Sequence, residues 1–171
     1  MALDPNRFDE LLGRCVRSAV HLEMRDGYMR SDPAFVDWQA GQRLDPATRW
    51  PQWSAMLSEA IGRGVIIRRA RIISEPISDY VHFEHEITDD LNIAAGEDVR
   101  WLPRRQATDL VLPGNDFWLF DGQLVLVNHF DGAGEATAPE LIDQPSTVKL
   151  CASAFEAVWE RAVPHSEYRP A

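Results

Sequence analysis

The sequence predicts an α/β fold with a mixed sheet and helices packed on it, and α+β is the alternative arrangement. A near-continuous apolar run at 64–73 is typical of a strand that helices cover on both faces. A helix-length segment at 78–92 separates this run from a second strand at 98–102, which is the order of a βαβ unit with parallel strands. Two later apolar runs meet at Asp121-Gly122, which predicts a C-terminal hairpin.

The composition is that of a folded globular protein of 171 residues, 45% of them hydrophobic and 26% charged. This length can bury a core without disulfides or metals, and no repeat or linker divides the chain, so we expect one globular domain over 1–171. No apolar run reaches the ~18 residues that cross a bilayer. The start of the chain does not resemble a signal peptide, which predicts a cytoplasmic protein without a membrane partner.

The formal net charge of −10 bears on function more than any other global property. Nucleic-acid affinity comes largely from neutralising phosphates, so this charge argues against direct binding of nucleic acid. A basic protein partner or a cationic ligand suits the charge better.

The two cysteines, Cys15 and Cys151, lie in segments of apolar periodicity. Because the chain shows no secretion signal, we expect two buried, reduced thiols and no disulfide between them. Their spacing is not that of a zinc site.

The first part of the chain is predicted to contain short helices and one strand. Asp4 or Asn6 is placed to cap a first helix. Residues 17–24 alternate in polarity and contain β-branched side chains, which predicts a strand that ends at the Asp-Gly turn 26–27. A capped helix is predicted at 31–41.

A longer helix is predicted from Pro51 to Ile61, with Gly62 as its terminator, after a loop that begins at Asp45-Pro46.

The strand at 64–73 carries arginines within its apolar run. Since side chains alternate along a strand, Arg69 and Arg71 share one face. Either that face reaches solvent or the two arginines pair with carboxylates. The remaining predicted elements are a helical turn at 104–110, hairpin arms at 116–120 and 123–130, an edge strand at 135–141, and a last helix that opens at Pro145 or Ser146.

A polar cluster follows the carboxyl end of strand 64–73, the end at which ligands bind in open α/β sheets. We interpret it as the candidate ligand-binding site, formed by Ser74, Glu75, Ser78, Asp79 and Tyr80. In the alternative interpretation, Ser78 and Asp79 cap the following helix while Glu75 pairs with an arginine. If the protein is an enzyme, Glu75 or Asp79 is the expected general base or metal ligand.

Carboxylates precede the strand at 98–102, at the opposite edge of the sheet from the polar cluster. Glu97 and Asp98 are predicted to form a structural ion-pair network with Arg71 and Arg100, with a metal site as the alternative.

His82 and His85 share one helical face with Glu86, but no third metal ligand can be identified. The known metalloprotease, phosphate-loop, dinucleotide and serine-elbow motifs are absent from the sequence. We therefore expect neither a metal nor a cofactor.

Five segments are similar to a domain of unknown function that is widespread in actinobacteria such as streptomycetes. They are Arg71-Ile-Ile-Ser-Glu-Pro-Ile-Ser-Asp-Tyr80, the segments 95–103 and 116–121, Leu112-Pro113, and the C-terminal segment 162–168. The resemblance covers essentially the whole chain. It implies gene neighbourhoods with helix-turn-helix regulators and no settled activity.

The order strand, helix, strand and hairpin also resembles a half-domain of the phospholipase D superfamily. In that superfamily a His-x-Lys-x-x-x-x-Asp motif precedes the hairpin turn. Aligned on Asp121, the His position is Gly114 and the Lys position is Asp116, so the nucleophile and the phosphate-binding lysine are both missing. The resemblance implies a scaffold without phosphodiester chemistry.

Together these observations predict a regulatory or interaction module without catalysis. Its expected partner is a basic protein, such as a helix-turn-helix regulator, or a small ligand beside the polar cluster. The alternative is a hydrolase that uses Glu75 or Asp79. The oligomeric state is left open, with a homodimer as one option.

Overall fold

Seven strands form one mixed sheet in the computed structural model, which describes residues 6–171. The strands are β1 (Ser18–Glu23), β2 (Ile66–Ile73), β3 (Asp98–Pro103), β4 (Asp116–Phe120), β5 (Leu124–Asn128), β6 (Glu140–Ile142) and β7 (Val163–Pro164). Their order across the sheet is β6-β5-β4-β1-β2-β3-β7.

Six α-helices connect and cover these strands in the described part of the chain. They are α1 (Phe8–Arg14), α2 (Pro33–Gln39), α3 (Pro46–Arg49), α4 (Pro51–Gly62), α5 (Asp79–Thr88) and α6 (Pro145–Arg161). A π-helical turn (Asp89–Ile93) continues α5, and a 3-10 turn (Arg104–Gln106) follows β3.

The centre of the sheet is parallel and both of its flanks are antiparallel. β2 pairs in parallel with β1 and with β3, whereas β4 pairs antiparallel with β1. The connection from β2 through α5 to β3 is the predicted βαβ unit, and the predicted α/β class with a mixed sheet is confirmed.

The predicted hairpin is formed by β4 and β5. Asp121 and Gly122 both have positive φ, 52° and 67°, as a tight two-residue hairpin turn requires. The Asp121 carboxylate accepts hydrogen bonds from the backbone N–H groups of Val16, Arg17 and Ser18 at 2.7–3.3 Å. The turn therefore also holds the start of β1 in place.

Alternation along the strands gives the sheet two different faces. On one face α6 packs on aliphatic and aromatic side chains, with Phe155 fully buried. On the other face α1 and α4 cover an apolar cluster that includes Leu57 and Phe120. A polar band lies beside that cluster, under α5.

Several local predictions differ from the structure. The N-cap of α1 is Arg7, one residue after Asn6, and Asp4 lies outside the described residues. Asp45 does not open a loop; its side chain accepts from the Ala47 N–H and caps α3. Gly62 is still helical.

The chain leaves α4 through Gly64, whose φ of 96° suits a residue without Cβ. The predicted edge strand 135–141 is shorter in the structure, as β6, with an isolated bridge between Phe130 and Ala136.

Both cysteines are buried and free, as predicted. The Cys15 thiol donates to the Ser18 carbonyl at 3.1 Å, and burial raises its pKa to about 11. Within residues 6–171, no helix has both the length and the apolar content needed to cross a bilayer.

The packing of α6 gives a first test of the fold. Phe155→Ala removes a fully buried ring and leaves a cavity, so we expect a loss of about 3–5 kcal/mol in the free energy of unfolding. Leu150 on the same helix is 38% exposed, and Leu150→Ala is expected to change the free energy of unfolding by only about 0.5 kcal/mol. Urea unfolding of both variants measures the difference. Equal losses would show that α6 does not pack on the sheet as described.

Candidate functional site

A band of charged side chains crosses the face of the sheet that lies under α5. Alternation places His21 and Glu23 of β1, Arg69 and Arg71 of β2, and Asp116 of β4 on this one face. None of the five is more than 8% exposed. Charged groups at this depth need partners, because burial removes the water that would otherwise solvate them.

Helix α5 closes the band from above. Ser78 caps the helix by accepting from the Val81 N–H at 3.1 Å. From that start, a four-residue spacing points Tyr80, Glu84 and Thr88 at the sheet, and all three are buried. Asn92 in the π-helical turn is buried next to the same band.

Two arginines and two glutamates form a buried network at the centre of the band. Arg69 lies between Glu97, with Nε 2.5 Å from Oε1, and Glu23. Arg71 donates to Glu23 at 3.1 Å and to the Thr88 hydroxyl at 2.8 Å. We call these four groups, Arg69, Arg71, Glu23 and Glu97, the arginine network.

The arginine network determines the ionisation of Glu23, one of its two carboxyls. Burial alone would raise the pKa of Glu23, but the guanidiniums of Arg71 and Arg69 outweigh it and hold that pKa well below its usual range. Glu97 is fixed from its other side, since the Asn92 amide donates to it at 2.8 Å.

A cavity of about 280 Å³ lies next to the arginine network. Its polar walls are His21, Glu23, Glu84, Asp116 and Asn128, and Tyr28 of the loop after β1 contributes one of its aromatic walls. The cavity therefore joins groups from β1, β4, β5, α5 and the loop after β1. We take it as the candidate functional site.

Glu84 is the least satisfied of these groups. It is 8% exposed, and within the described residues its carboxyl accepts no hydrogen bond and forms no salt bridge. Burial raises its pKa to about 8; the Arg71 guanidinium opposes the shift, while the charge of Glu23 adds to it. Near neutral pH the group is therefore largely a neutral acid.

Asp116 has hydrogen-bond partners that Glu84 lacks. It accepts from the Met24 N–H at 2.9 Å and from the Tyr28 hydroxyl, yet burial still raises its pKa. The pKa of Tyr28 is raised well above its usual value by burial and by the charges of Glu23 and Asp116, so this phenol remains a neutral donor. The Asn128 side-chain oxygen is buried on the cavity wall without a hydrogen-bond partner.

The five residues of the predicted ligand-binding site do not surround one cavity. Ser74 donates to the Asp26 carboxylate, Glu75 accepts from the Tyr168 hydroxyl at 2.7 Å, and Ser78 is the cap of α5. Asp79 accepts from Arg30 at 2.8 Å. Tyr80 is the member that lines the candidate site.

These positions match the alternative interpretation for Ser78, which caps the helix, but Glu75 pairs with a tyrosine and not with an arginine. A ligand-binding role for the group stays a prediction.

The predicted ion-pair network is divided in the structure. Arg71 and Glu97 both belong to the arginine network, where Glu23 and Arg69 connect them. Asp98 is exposed.

Arg100 points to the other face of the sheet, where it donates to the Trp159 carbonyl at 3.2 Å and covers that indole. Alternation explains the division, because Arg100 and Glu97 fall on opposite faces.

Four residues of the candidate site were not predicted from the sequence: His21, Glu23, Glu84 and Asp116. A usable signal was present for Glu23: it alternates with apolar residues in β1 as Arg71 does in β2, and the two are paired in the parallel register. No neighbouring residue identifies Glu84 as a site residue, because it faces the sheet only through its position in the helix that begins after Ser78.

The two helix histidines separate in the structure. His82 faces Glu86 at 3.4 Å on the surface, whereas His85 packs on His165 with ring centroids 4.7 Å apart. Over residues 6–171, no group of three or more His, Cys, Asp or Glu side chains is placed to hold a metal.

Three solved structures share this fold. The phospholipase D family member Nuc from Salmonella typhimurium is 12% identical with a TM-score of 0.51, over 94% of this chain and 88% of that one. NucT from Helicobacter pylori is 10% identical with a TM-score of 0.50, over 93% and 89%. The archaeal chromatin protein TrmBL2 is 14% identical with a TM-score of 0.50, over 92% of this chain and 48% of that one. At these identities the likeness shows the fold alone, which is phospholipase D-like.

None of the curated proteins matches the chain. A family model described as Domain of unknown function (DUF6879) matches residues 6–170. The predicted resemblance to a family of unknown function is thereby confirmed.

Glu84 makes the stability of the fold depend on pH. Its pKa is 4.5 in ordinary surroundings and about 8 in the fold, so between these values the folded protein binds more protons than the unfolded chain. The free energy of unfolding must therefore fall as pH rises through this window. We expect Glu84→Gln to remove most of that decrease and to exceed wild type by ~1 kcal/mol or more at about pH 8. Urea unfolding at about pH 5 and about pH 8 measures it.

The exposed Glu160 provides the control, because Glu160→Gln should keep the wild-type pH dependence. An unchanged slope in Glu84→Gln would mean that Glu84 is ionised at neutral pH in the folded protein.

The arginine network is expected to tolerate loss of one partner poorly. Arg69→Met leaves Glu97 and part of Glu23 buried without a cation, at an expected cost of about 3–5 kcal/mol in the free energy of unfolding. Arg161 pairs with Asp109 on the surface at 2.6 Å, and Arg161→Met is expected to cost about 1 kcal/mol or less. Chemical denaturation compares the two. A loss below about 1 kcal/mol for Arg69→Met would contradict a buried network.

Proposed function

We propose that this chain, which belongs to the DUF6879 family, is a recognition module with a phospholipase D-like fold and not a phosphodiesterase. The supporting observation is Asp116. Aligned on Asp121, the phospholipase D motif places its lysine at Asp116 and its histidine at Gly114. A buried carboxyl takes the position of a phosphate-binding cation, and a residue without a side chain takes that of the nucleophile.

Electrostatics around the cavity point the same way. Both arginines of the band bond to carboxylates of the arginine network, so neither is free to hold a phosphate. The carboxyls of Glu23, Glu84 and Asp116 line the cavity, and a carboxyl that is ionised there repels an anionic substrate. A binding role needs none of the missing catalytic groups.

We propose a basic protein as the partner, specifically a helix-turn-helix regulator in the cytoplasm of an actinobacterial cell. The net charge of −10 favours association with a cationic surface and opposes direct contact with nucleic acid. A small ligand bound in the cavity would then be the effector that such a module senses.

A second candidate is a hydrolase that uses a carboxyl as general acid. Glu84 favours it, because a buried acid with a pKa of about 8 is suited to donate a proton near neutral pH. Glu75 and Asp79 are less suited, since each already accepts a hydrogen bond from another side chain.

Phosphodiesterase activity provides the test of the proposed function. We expect no hydrolysis of bis(p-nitrophenyl) phosphate, single-stranded DNA or phosphatidylcholine above the buffer rate, because the nucleophile and the phosphate-binding lysine are missing. A phospholipase D assayed alongside shows that the conditions support the reaction. Hydrolysis that Asp116→Asn or Glu84→Gln abolishes, in a protein that stays folded, would overturn the proposal and favour the hydrolase.

The partner is tested by coexpression with a helix-turn-helix regulator from the same genome. We expect a complex that survives size-exclusion chromatography at low salt and dissociates as the ionic strength rises, because screening weakens attraction between charged surfaces. An acidic protein of similar size is the control. Failure to form a complex at low salt would remove the regulator from the proposal.

A further inference from the structure

We propose that the cavity beside the arginine network binds a primary ammonium group, which would be the ligand of the recognition module proposed above. This inference rests on that proposed function and adds to it the chemical class of the ligand. It is carried by the unpaired, buried Glu84 carboxyl, by Asp116 and Asn128 on the wall of the same cavity, and by the aromatic walls.

The cavity contains a buried carboxyl, Glu84, that pairs with no cation in the described residues. The His21 imidazole lies 3.1 Å from Glu23, and the Arg25 guanidinium lies over the Tyr28 and Phe130 rings. Four buried carboxyls, Glu23, Glu84, Glu97 and Asp116, lie near the two buried guanidiniums of Arg69 and Arg71. Both guanidiniums bond to Glu23 or Glu97, and neither comes within salt-bridge distance of Glu84 or Asp116. A buried carboxylate without a cation is costly, and a bound cation removes that cost.

Polar side chains from three elements line the same cavity: Glu84 (α5), Asp116 (β4) and Asn128 (β5). Glu84 is nine-tenths buried and accepts no hydrogen bond within the described residues, whereas Asp116 already accepts from the Met24 N–H and the Tyr28 hydroxyl. An ammonium has three N–H donors and no acceptor, so it can donate to oxygens of more than one of these side chains. A planar guanidinium instead prefers two oxygens of one carboxylate side by side.

Aromatic rings form the remaining walls, from Tyr28, Tyr80, Trp118 and Phe130. Rings of this kind attract cations to their faces and also pack against the alkyl chain that carries the ammonium. The Arg25 guanidinium already lies 4.8 Å from the Phe130 ring centroid, so a cation is compatible with this surface. A cavity of about 280 Å³ admits a small alkylamine or one lysine side chain.

Binding is coupled to proton release. Without a ligand, Glu84 is largely protonated near neutral pH, so the reaction is Glu84–COOH plus R–NH₃⁺ giving Glu84–COO⁻·R–NH₃⁺ plus one proton, which passes to the buffer. The charged groups that act on Glu84 are Arg71 and Arg69 of β2, Glu23 of β1 and Asp116 of β4, and His21 lies beside Glu23. Affinity should rise up to tenfold per pH unit below about pH 8 and fall again near pH ~10, where the amine loses its own proton.

Titration calorimetry with n-butylamine tests the inference. The matched probes are n-butanol, which has the shape without the charge, and n-butylguanidine, which has the charge without the shape. We expect butylamine to bind, butanol not to bind, and butylguanidine to bind at least tenfold more weakly. Repeating the titration at about pH 8 and about pH 6, in two buffers of different ionisation enthalpy, counts the protons that are released.

Two variants test whether the heat of butylamine binding arises from the cavity. Glu84→Gln should weaken butylamine binding at least tenfold at about pH 8 and abolish the extra proton release at about pH 6. Asn128→Leu removes one acceptor and should weaken binding without changing the proton count. Glu160→Gln is the control and should bind as wild type does.

The source of the ammonium is resolved by two further ligands. Nα-acetyl-lysine amide presents a lysine side chain as a protein would, and 1,5-diaminopentane is a free amine. Stronger binding of the lysine derivative assigns the cavity to a lysine of the partner, and stronger binding of the diamine assigns it to a free metabolite. Either result supports an ammonium site.

No heat from butylamine, equal heat from butanol or butylguanidine, or full binding by a folded Glu84→Gln would overturn the ammonium site. Such a result leaves the recognition module standing as long as phosphodiester hydrolysis is absent. The appearance of hydrolysis would instead remove the proposed function itself.

Discussion

The contact between Glu23 and the two arginines of β2 governs the architecture of this molecule. It joins neighbouring parallel strands by side chains as well as by the backbone ladder, and it holds Thr88 at the end of α5 and Glu97 at the entry to β3. A buried ion pair contributes little net stability compared with well-packed apolar residues, but breaking it is costly. Here it ties the C-terminal end of α5, through Thr88, to its position over the sheet.

The cavity exists because of that position. With α5 tied to the arginine network, Glu84 lies on the cavity wall without a salt bridge to a guanidinium in the described residues. The same network thus pairs with two carboxyls, Glu23 and Glu97, and leaves Glu84 and Asp116 outside its ion pairs. The fold is phospholipase D-like, and its cavity is lined by carboxyls and aromatic rings.

The sequence predicted correctly those elements that depend on interactions between neighbouring residues. The apolar run of β2, the Asp-Gly turn at Asp121 and the serine cap of α5 each follow from a few adjacent residues, and each was predicted. The site was not predicted in the same way, because its members are brought together by the register of β1 on β2 and by the phase of one helix. Glu23 and Arg71 are 48 positions apart, and no spacing rule relates them. The sequence did predict that Arg69 and Arg71 either face solvent or pair with carboxylates, and in the structure they pair with carboxylates.

The central place of β1 has a consequence for biosynthesis. This strand lies between β2 and β4, and its pairing with β4 brings Ala19 opposite Phe120. A ribosome makes β1 before the strand that completes its second edge, which emerges about a hundred residues later. Until then that edge of β1 stays unprotected, and closing so long a loop is slow. In a nascent chain the β4-facing edge of β1 is therefore open to pairing with other strands until the hairpin has left the exit tunnel.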